Sequence, residues 1–110
     1  MSTDNITRQR GMLGFAMRAG KLIIGTEQVL LAMAKTKKPK LVIVSFTASD
    51  ATKKKILNKS EFYGIKAVQI NISQEELGAI LGKSYAPVCV AVTDDRFADE
   101  IEKAALSEKN

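Results

Sequence analysis

Four short, largely apolar runs divide this chain and constrain its fold more than any other feature. They occupy residues 21–24, 41–44, 67–70 and 88–92. The run Leu41–Val44 is continuously apolar, which is typical of a strand that is covered on both faces. Segments with helical patterning separate the runs from one another. This alternation predicts an α/β fold in which helices cover both faces of one sheet.

Capping residues and glycines mark the ends of five predicted helices. Ser73 and Glu76 have the spacing of a capping box, and Gly20 and Gly64 can take the left-handed conformation that ends a helix. The predicted helices run from an N-cap at Asp4 to about Arg18, from Gly25–Thr26 to about Lys35, from Ser49 or Asp50 to about Phe62, from Ser73 to about Leu81–Gly82, and from about Asp95 to Leu106. We expect one domain over residues 1–110.

The composition excludes most catalytic chemistry. The 110 residues include no histidine and one cysteine, Cys89, so triads that use histidine and zinc sites of His or Cys ligands are excluded. The pairs Glu75–Glu76 and Asp94–Asp95 stand at predicted helix starts, where the helix dipole favours negative charge. Cys89 lies inside a buried strand pattern and is interpreted as a small core residue. We predict no enzyme activity, no cofactor and no metal.

No apolar run approaches the roughly 20 residues that cross a bilayer. The first residues lack the apolar segment of a signal peptide. A single cysteine forms no internal disulfide, which fits a reducing compartment. We therefore expect a cytoplasmic protein without membrane association, and a monomer.

The basic residues are unevenly placed. The formal net charge is +5; residues 1–90 carry fourteen Lys or Arg and six Asp or Glu, whereas residues 91–110 carry three and six. A basic body is compatible with a phosphate backbone as partner, and equally with a solvated surface. The run Lys53–Lys55, with Lys59 on the same predicted helix, has the same two interpretations.

Two segments could bind a nucleic acid. The turn Gly25–Gln28 opens the second predicted helix directly after a strand, so its free N–H groups can receive a phosphate; the alternative is an ordinary capped helix start. The segment Lys83–Pro87 combines a cation with Tyr85, which can stack on an unpaired base. Its alternative is a plain connection in which Tyr85 folds back onto the core.

At these residues the chain resembles a known family. The segments that carry the resemblance are Leu13–Lys21, Gly25–Val29, Leu41–Val44, Glu76–Gly82 and Val90–Val92. In this order and spacing they resemble the kink-turn-binding ribosomal proteins, L-seven-Ae and L-thirty-e, and most closely the bacterial YlxQ branch. The similarity extends from about residue 8 to residue 94.

The resemblance implies a three-layer α/β/α sandwich with a mixed four-stranded sheet, and a noncatalytic protein that binds kink-turn RNA. By resemblance, Gly25, Thr26, Glu27 and Gln28 form the turn that reads sheared G·A pairs, and Lys35 contacts the RNA backbone. The other RNA-binding positions that it implies are Lys21, Lys83, Ser84, Tyr85 and Ala86. The implied partner is structured, ribosomal RNA, in association with the ribosome or with translation factors.

A second hypothesis is a protein-interaction module that keeps this fold without RNA specificity. Its docking face would be the acidic last helix, whose carboxylates are Asp95, Asp99, Glu100 and Glu102. An enzyme is the third and least favoured hypothesis, because the catalytic groups are missing.

Overall fold

The computed structural model describes the backbone of residues 2–108 and the side chains of residues 6–106. Helices and strands alternate along the chain, as the sequence predicts. They are α1 (Ser2–Arg18), β1 (Leu22–Ile24), α2 (Thr26–Met33), β2 (Leu41–Ser45), α3 (Asp50–Phe62), β3 (Ala67–Ile70), α4 (Gln74–Leu81), β4 (Cys89–Val92) and α5 (Asp95–Glu108). Within these residues no helix is long and apolar enough to cross a bilayer.

Three predicted helix ends are wrong, and one of them is the end of α5, which continues to Glu108, two residues beyond Leu106. Helix α1 already includes Ser2, so Asp4 lies inside its first turn and not at the N-cap. Helix α2 ends at Met33, two residues before Lys35. The N–H of Lys35 donates to the carbonyl of Ala32 at 3.2 Å, a three-residue spacing that tightens the last turn and ends the α-helix.

The sheet is mixed and has the strand order β1-β4-β2-β3. Strands β2 and β3 are parallel, whereas β4 is antiparallel to both of its neighbours. Strands β1, β2 and β3 therefore run in one direction, and their carboxyl ends meet where β4 begins. Because α2, α3 and α4 follow these strands, all three helices start at this end of the sheet. We call it the helix-start end.

Helices cover both faces of the sheet and give the expected three layers. Alternate residues of a strand point to opposite faces, so β2 and β4 contribute to two separate cores. Helices α2 and α3 pack on one face through Val29, Met33 and Ile56. Helices α1, α4 and α5 pack on the other through Leu13, Leu77 and Ile101. The three-layer α/β/α fold is confirmed.

The three helices at the helix-start end differ in how their first turns are capped. In α3 the Oγ atom of Ser49 accepts from the N–H of Thr52 at 3.2 Å. In α4 the predicted capping box is present, because Ser73 Oγ accepts from Glu76 N at 3.1 Å and Glu76 Oε1 accepts from Ser73 N at 3.2 Å. Helix α2 starts at Gly25, and no side chain caps it.

Candidate nucleic-acid interface

The start of α2 lies against the start of β4. Ile24, the last residue of β1, pairs with Val90, and the N–H of Gly25 donates to the carbonyl of Cys89 at 3.0 Å. Because residues 83–88 lead directly into β4, this pairing sets them beside the first turn of α2. Two segments far apart in the sequence therefore form one surface at the helix-start end.

Eight of the ten predicted site residues lie in the two segments that this pairing connects, the turn Gly25–Gln28 and the loop Lys83–Ala86. Lys21 lies at the opposite end of the sheet, where its carbonyl accepts from Thr93 N at 2.9 Å. Lys35 lies beyond the far end of α2, about 15 Å along the helix axis from the turn. Both lysines are exposed; their contact with RNA stays a prediction.

The backbone of Gly25 makes the first turn of α2 accessible. Its φ of 102° and ψ of 146° belong to a region that side-chain-bearing residues rarely adopt. The first helical hydrogen bond runs from Val29 N to Gly25 O at 2.9 Å. The amides of Thr26, Glu27 and Gln28 thus have no helical acceptor, and they can donate to a phosphate or a base edge.

Cys89 packs beneath this turn as a buried residue. Its Sγ atom lies 3.9 Å from Thr26 Oγ1, to which it can donate. Burial raises the pKa of the Cys89 thiol to about 11, although the hydrogen bond with Thr26 lowers it. The thiol is therefore neutral near pH 7 and is a poor nucleophile, in agreement with its interpretation as a core residue.

The loop between α4 and β4 is held tightly against α4. Gly82 ends the helix in the left-handed conformation, with φ of 67°, and Lys83 N donates to Gly78 O at 2.9 Å. A Cβ atom on Gly78 would lie 2.5 Å from the carbonyl oxygen of Tyr85. Only glycine at this position allows the loop to approach so closely.

Tyr85 points away from the core. Its side chain is 55% exposed, so the alternative in which it folds back onto the core is wrong. Ser84 and Ala86 are exposed beside it, and Lys83 is half-buried. The loop therefore presents an aromatic ring and a cation, which are the groups that stack on an unpaired base and bind a phosphate.

The sequence analysis missed Phe46, a second aromatic residue at the helix-start end. Phe46 follows β2 directly and is 40% exposed, and its N–H donates to Ile70 O at 3.1 Å. Ser45 Oγ donates to Ile72 O at 2.7 Å and fixes the same connection. The sequence pattern could have pointed to this residue, because Phe46 directly follows a strand that is predicted to be buried.

The acidic helix α5 is paired with basic residues. Each of the four carboxylates that the docking hypothesis invokes lies within 4 Å of a cation. The pairs are Glu100 with Arg8 at 3.4 Å, Asp95 with Lys40 at 3.7 Å, Glu102 with Lys66 at 3.3 Å and Asp99 with Lys103 at 3.0 Å. Exposed pairs of this kind add little stability, but they reduce the negative charge that a basic partner could use.

Comparison with known proteins identifies the family. The family described as "Ribosomal protein L7Ae/L30e/S12e/Gadd45" matches residues 8–102, which include both segments of the surface. The chain belongs to this family. Its membership confirms the resemblance seen in the sequence, and the chain is noncatalytic, as its composition predicts.

Two relatives and one solved structure are similar to this chain over most of their length. The chain is 37% identical over 103 residues to RNA-binding protein YlxQ of Enterococcus faecium, and the match covers 94% of this chain and 96% of that protein. It is 33% identical over 92 residues to large ribosomal subunit protein eL30 of Sulfurisphaera tokodaii, covering 81% and 86%. A protein of unknown function from Bacillus halodurans C has a TM-score of 0.80 at 34% identity, covering 89% and 96%.

Proposed function

We propose that this protein binds structured RNA at the helix-start end, and that its ligand is a kink-turn or a related ribosomal RNA motif. One of the relatives named above is an RNA-binding protein, and another is a protein of the large ribosomal subunit. Association with the ribosome or with translation factors, a cytoplasmic location and a monomeric state belong to the same proposal.

One observation carries the proposal. Of the three helices that start at this end, α2 has no side-chain cap, and the hydrogen bond from Gly25 to Cys89 places its open turn beside the exposed loop at Tyr85. Capped starts such as those of α3 and α4 have fewer donors to offer. An open helix start next to an exposed aromatic loop fits a ligand that combines negative charge with unstacked bases.

The surface can read RNA only where the double helix is distorted. The major groove of A-form RNA is too deep and narrow for side chains, so sequence information is accessible at bulges and non-Watson–Crick pairs. In our proposal the first turn of α2 enters at sheared G·A pairs. Thr26 and Gln28 donate to and accept from base edges there, and Glu27 accepts from a guanine amino group.

The loop and the connection after β2 would hold the unpaired bases. Tyr85 and Phe46 provide exposed rings for stacking, and Lys83 provides the charge for a neighbouring phosphate. Base stacking on an aromatic side chain contributes roughly 1–3 kcal/mol. Bulged nucleotides next to the G·A pairs are the ligand groups that would use both rings.

The test is a titration of the protein into labelled kink-turn RNA at two salt concentrations. The matched control is the same RNA with its sheared G·A pairs converted to Watson–Crick pairs. We expect clear preference for the kinked RNA at both salt concentrations, because base contacts do not release counterions as phosphate contacts do.

Two outcomes would contradict the proposal. Equal and strongly salt-dependent binding to both RNAs would mean that the basic residues attract RNA without regard to its structure. Absence of binding to either RNA would favour a protein-interaction module, which a pull-down that keeps its protein partner after nuclease treatment would support.

A further inference from the structure

Phe62, at the end of α3, is the most exposed large hydrophobic side chain among those described. It is 78% exposed. The edge of its ring meets Tyr63, with the ring centroids 4.9 Å apart and an interplanar angle of 84°. The Phe62 ring is thus positioned by a neighbour while most of its surface faces water. Such a residue does not contribute to the core, and exposed phenylalanine is uncommon on a surface whose only requirement is solubility.

Two lysines, Lys38 and Lys59, lie near the end of α3 that carries this ring. The Lys38 ammonium lies 5.1 Å from the centre of the Tyr63 ring and donates to Lys35 O at 2.9 Å, which ties the connection after α2 to the end of α3. Lys59 is one turn before Phe62 and Tyr63 on α3, and its carbonyl accepts from Tyr63 N at 3.1 Å.

The lysines near Phe62, which are Lys37, Lys38 and Lys59, have no acidic partner among the described residues. Lys37 and Lys59 are exposed, and neither forms an ion pair with any residue that the structure describes. Nearby, Lys40 and Lys66 are paired with carboxylates of α5. The cations beside Phe62 therefore keep their full attraction for an anion, whereas those next to α5 do not.

We propose that Phe62, Lys37, Lys38 and Lys59 form a second RNA surface, which binds a single-stranded segment. A base stacks on the Phe62 ring, and the flanking phosphates contact Lys37 and Lys59. An exposed aromatic ring and cations that contact the backbone are the groups with which proteins hold single strands without sequence preference. This inference rests on the proposed function, since it assigns a second part of the same RNA partner.

The second surface lies apart from the first. Lys35 and the lysines after it follow the far end of α2, so the two surfaces are separated by about 15 Å or more along that helix. A single-stranded tail that leaves a structured RNA could reach from one to the other. The expected tail length is on the order of 10 nucleotides, within the range that single-strand sites occupy.

One acidic group interrupts the surface. Glu61 is exposed next to Phe62 and has no ion pair in the part of the chain that the structure describes. Its carboxylate repels a phosphate at this position. The substitution Glu61→Gln should therefore strengthen binding of a single-stranded tail, and weaker binding would contradict the assignment.

The first test uses fluorescence. The chain contains no tryptophan, so Phe62→Trp introduces a single reporter at the proposed stacking position. The matched control is Phe15→Trp on α1; that ring is also exposed, at 56%, but Arg18 covers its face at 4.9 Å. We expect oligouridine of about 10 nucleotides to quench the tryptophan at position 62 and not that at position 15. Equal quenching at both positions, or none at position 62, would overturn the inference.

The second test compares kink-turn RNA with and without a single-stranded oligouridine tail. We expect the tail to raise the affinity of the unsubstituted protein about tenfold. Phe62→Ala should remove this gain and leave the affinity for tail-less RNA unchanged. The double substitution Lys37→Ala with Lys59→Ala should also remove the gain, and it should lower the affinity for tail-less RNA only as much as the loss of two charges elsewhere on the basic body does. The control is Lys54→Ala with Lys55→Ala, which removes the same charge in the middle of α3, about two turns before Phe62. Because Phe62 is exposed, Phe62→Leu should fold and should also lose the gain.

The outcomes separate this inference from the proposed function. If the tail adds no affinity while kink-turn RNA still binds, the second surface is wrong and the proposed function stands. If kink-turn RNA fails to bind but oligouridine binding depends on Phe62, the proposed function is wrong and the second surface stands. If the tail's contribution is lost equally in Lys37→Ala with Lys59→Ala and in the control Lys54→Ala with Lys55→Ala, the contribution comes from total charge, and the inference is wrong.

Discussion

At the scale of single residues, the recognition that we propose for α2 depends on what Gly25 lacks. Without a Cβ atom it takes a backbone conformation that brings the strand directly into the helix, and without side-chain oxygens it leaves the first amides open. A serine or aspartate there would cap the helix and compete with the ligand for these donors. The helix therefore lacks the stability that a capping side chain would add, and its first N–H groups stay available to a ligand.

The first prediction concerns Gly25→Ala. A Cβ at Gly25 meets no atom within 4 Å, so its cost comes from the φ of 102°. We expect a loss of about 1–3 kcal/mol in the free energy of unfolding and weaker binding of kink-turn RNA. The control Gly11→Ala also adds a Cβ in open space, but in a helix, and should gain up to about 1 kcal/mol. Denaturant unfolding and RNA titration measure both; a neutral Gly25→Ala would contradict the argument.

The second prediction separates the two exposed side chains of the turn. Glu27→Lys should strengthen RNA binding, because a carboxylate beside phosphates is replaced by a cation. Gln28→Ala should weaken it roughly fivefold to tenfold through the loss of hydrogen bonds to a base edge. Asp99→Lys makes the same change of charge on α5 and should have a smaller effect. Unchanged affinity in both turn variants would place the site elsewhere.

The third prediction concerns pH and Cys89. The pKa of its thiol is about 11 in the folded protein and about 8.5 in an unfolded chain. The folded state therefore keeps a proton that the unfolded state loses, and this stabilisation is present below about pH 8.5 and decreases as the pH rises towards 11. We expect the unfolding free energy to decrease by on the order of 2 kcal/mol more than in Cys89→Ala over that interval. Parallel pH profiles of the two proteins would contradict the burial of this thiol.

At the scale of secondary-structure elements, the position of the loop after α4 depends on its contact with that helix. The fourth prediction is that Gly78→Ala weakens RNA binding, because the new Cβ would lie 2.5 Å from the Tyr85 carbonyl and must displace the loop. Gly14→Ala is the matched control in α1, where the nearest atom, Arg18 Nη1, lies at an ordinary 3.6 Å. Equal RNA affinity in the two variants would show that the loop position does not matter.

The helices and strands were predictable, since their signals are local. The capping pair Ser73 and Glu76, and the apolar run that became β2, each fix an element from a few neighbouring residues. The site was only partly predictable. The hydrogen bond that joins Gly25 to Cys89 links residues far apart in the sequence. Pattern and spacing cannot reveal such a contact without the strand order, which the structure provides.

The same reason explains why Phe46 was not predicted and why Lys21 and Lys35 lie apart from the other predicted site residues. Phe46 belongs to a strand end that becomes part of the surface only when β2 lies next to β4. Lys21 precedes β1, whose last residue leads into the turn, and Lys35 follows the end of α2 that is farthest from the turn. The length of β1 or of α2 therefore separates each lysine from the turn, although they are close to it in the sequence.

At the scale of the whole molecule, we expect the basic body to give a background affinity for any RNA. The fifth prediction is that Lys54→Ala with Lys55→Ala lowers binding of kinked and Watson–Crick control RNA to the same extent and leaves their ratio unchanged. The dependence of log affinity on log salt should become shallower by about 0.7–0.9 for each phosphate that the protein no longer neutralises. Titrations across several salt concentrations measure this. A changed ratio would make the face of α3 part of specific recognition.

The common starting point of α2, α3 and α4 has a consequence for how this protein can be regulated. Peptide dipoles leave about half a positive charge at the start of each helix, so part of the field at this end resides in the main chain. Acetylation of lysines, or a rise in pH that neutralises them, cannot remove that part. Modification could therefore weaken the attraction of RNA to the rest of the surface while a residual affinity persists at the end where the three helices begin.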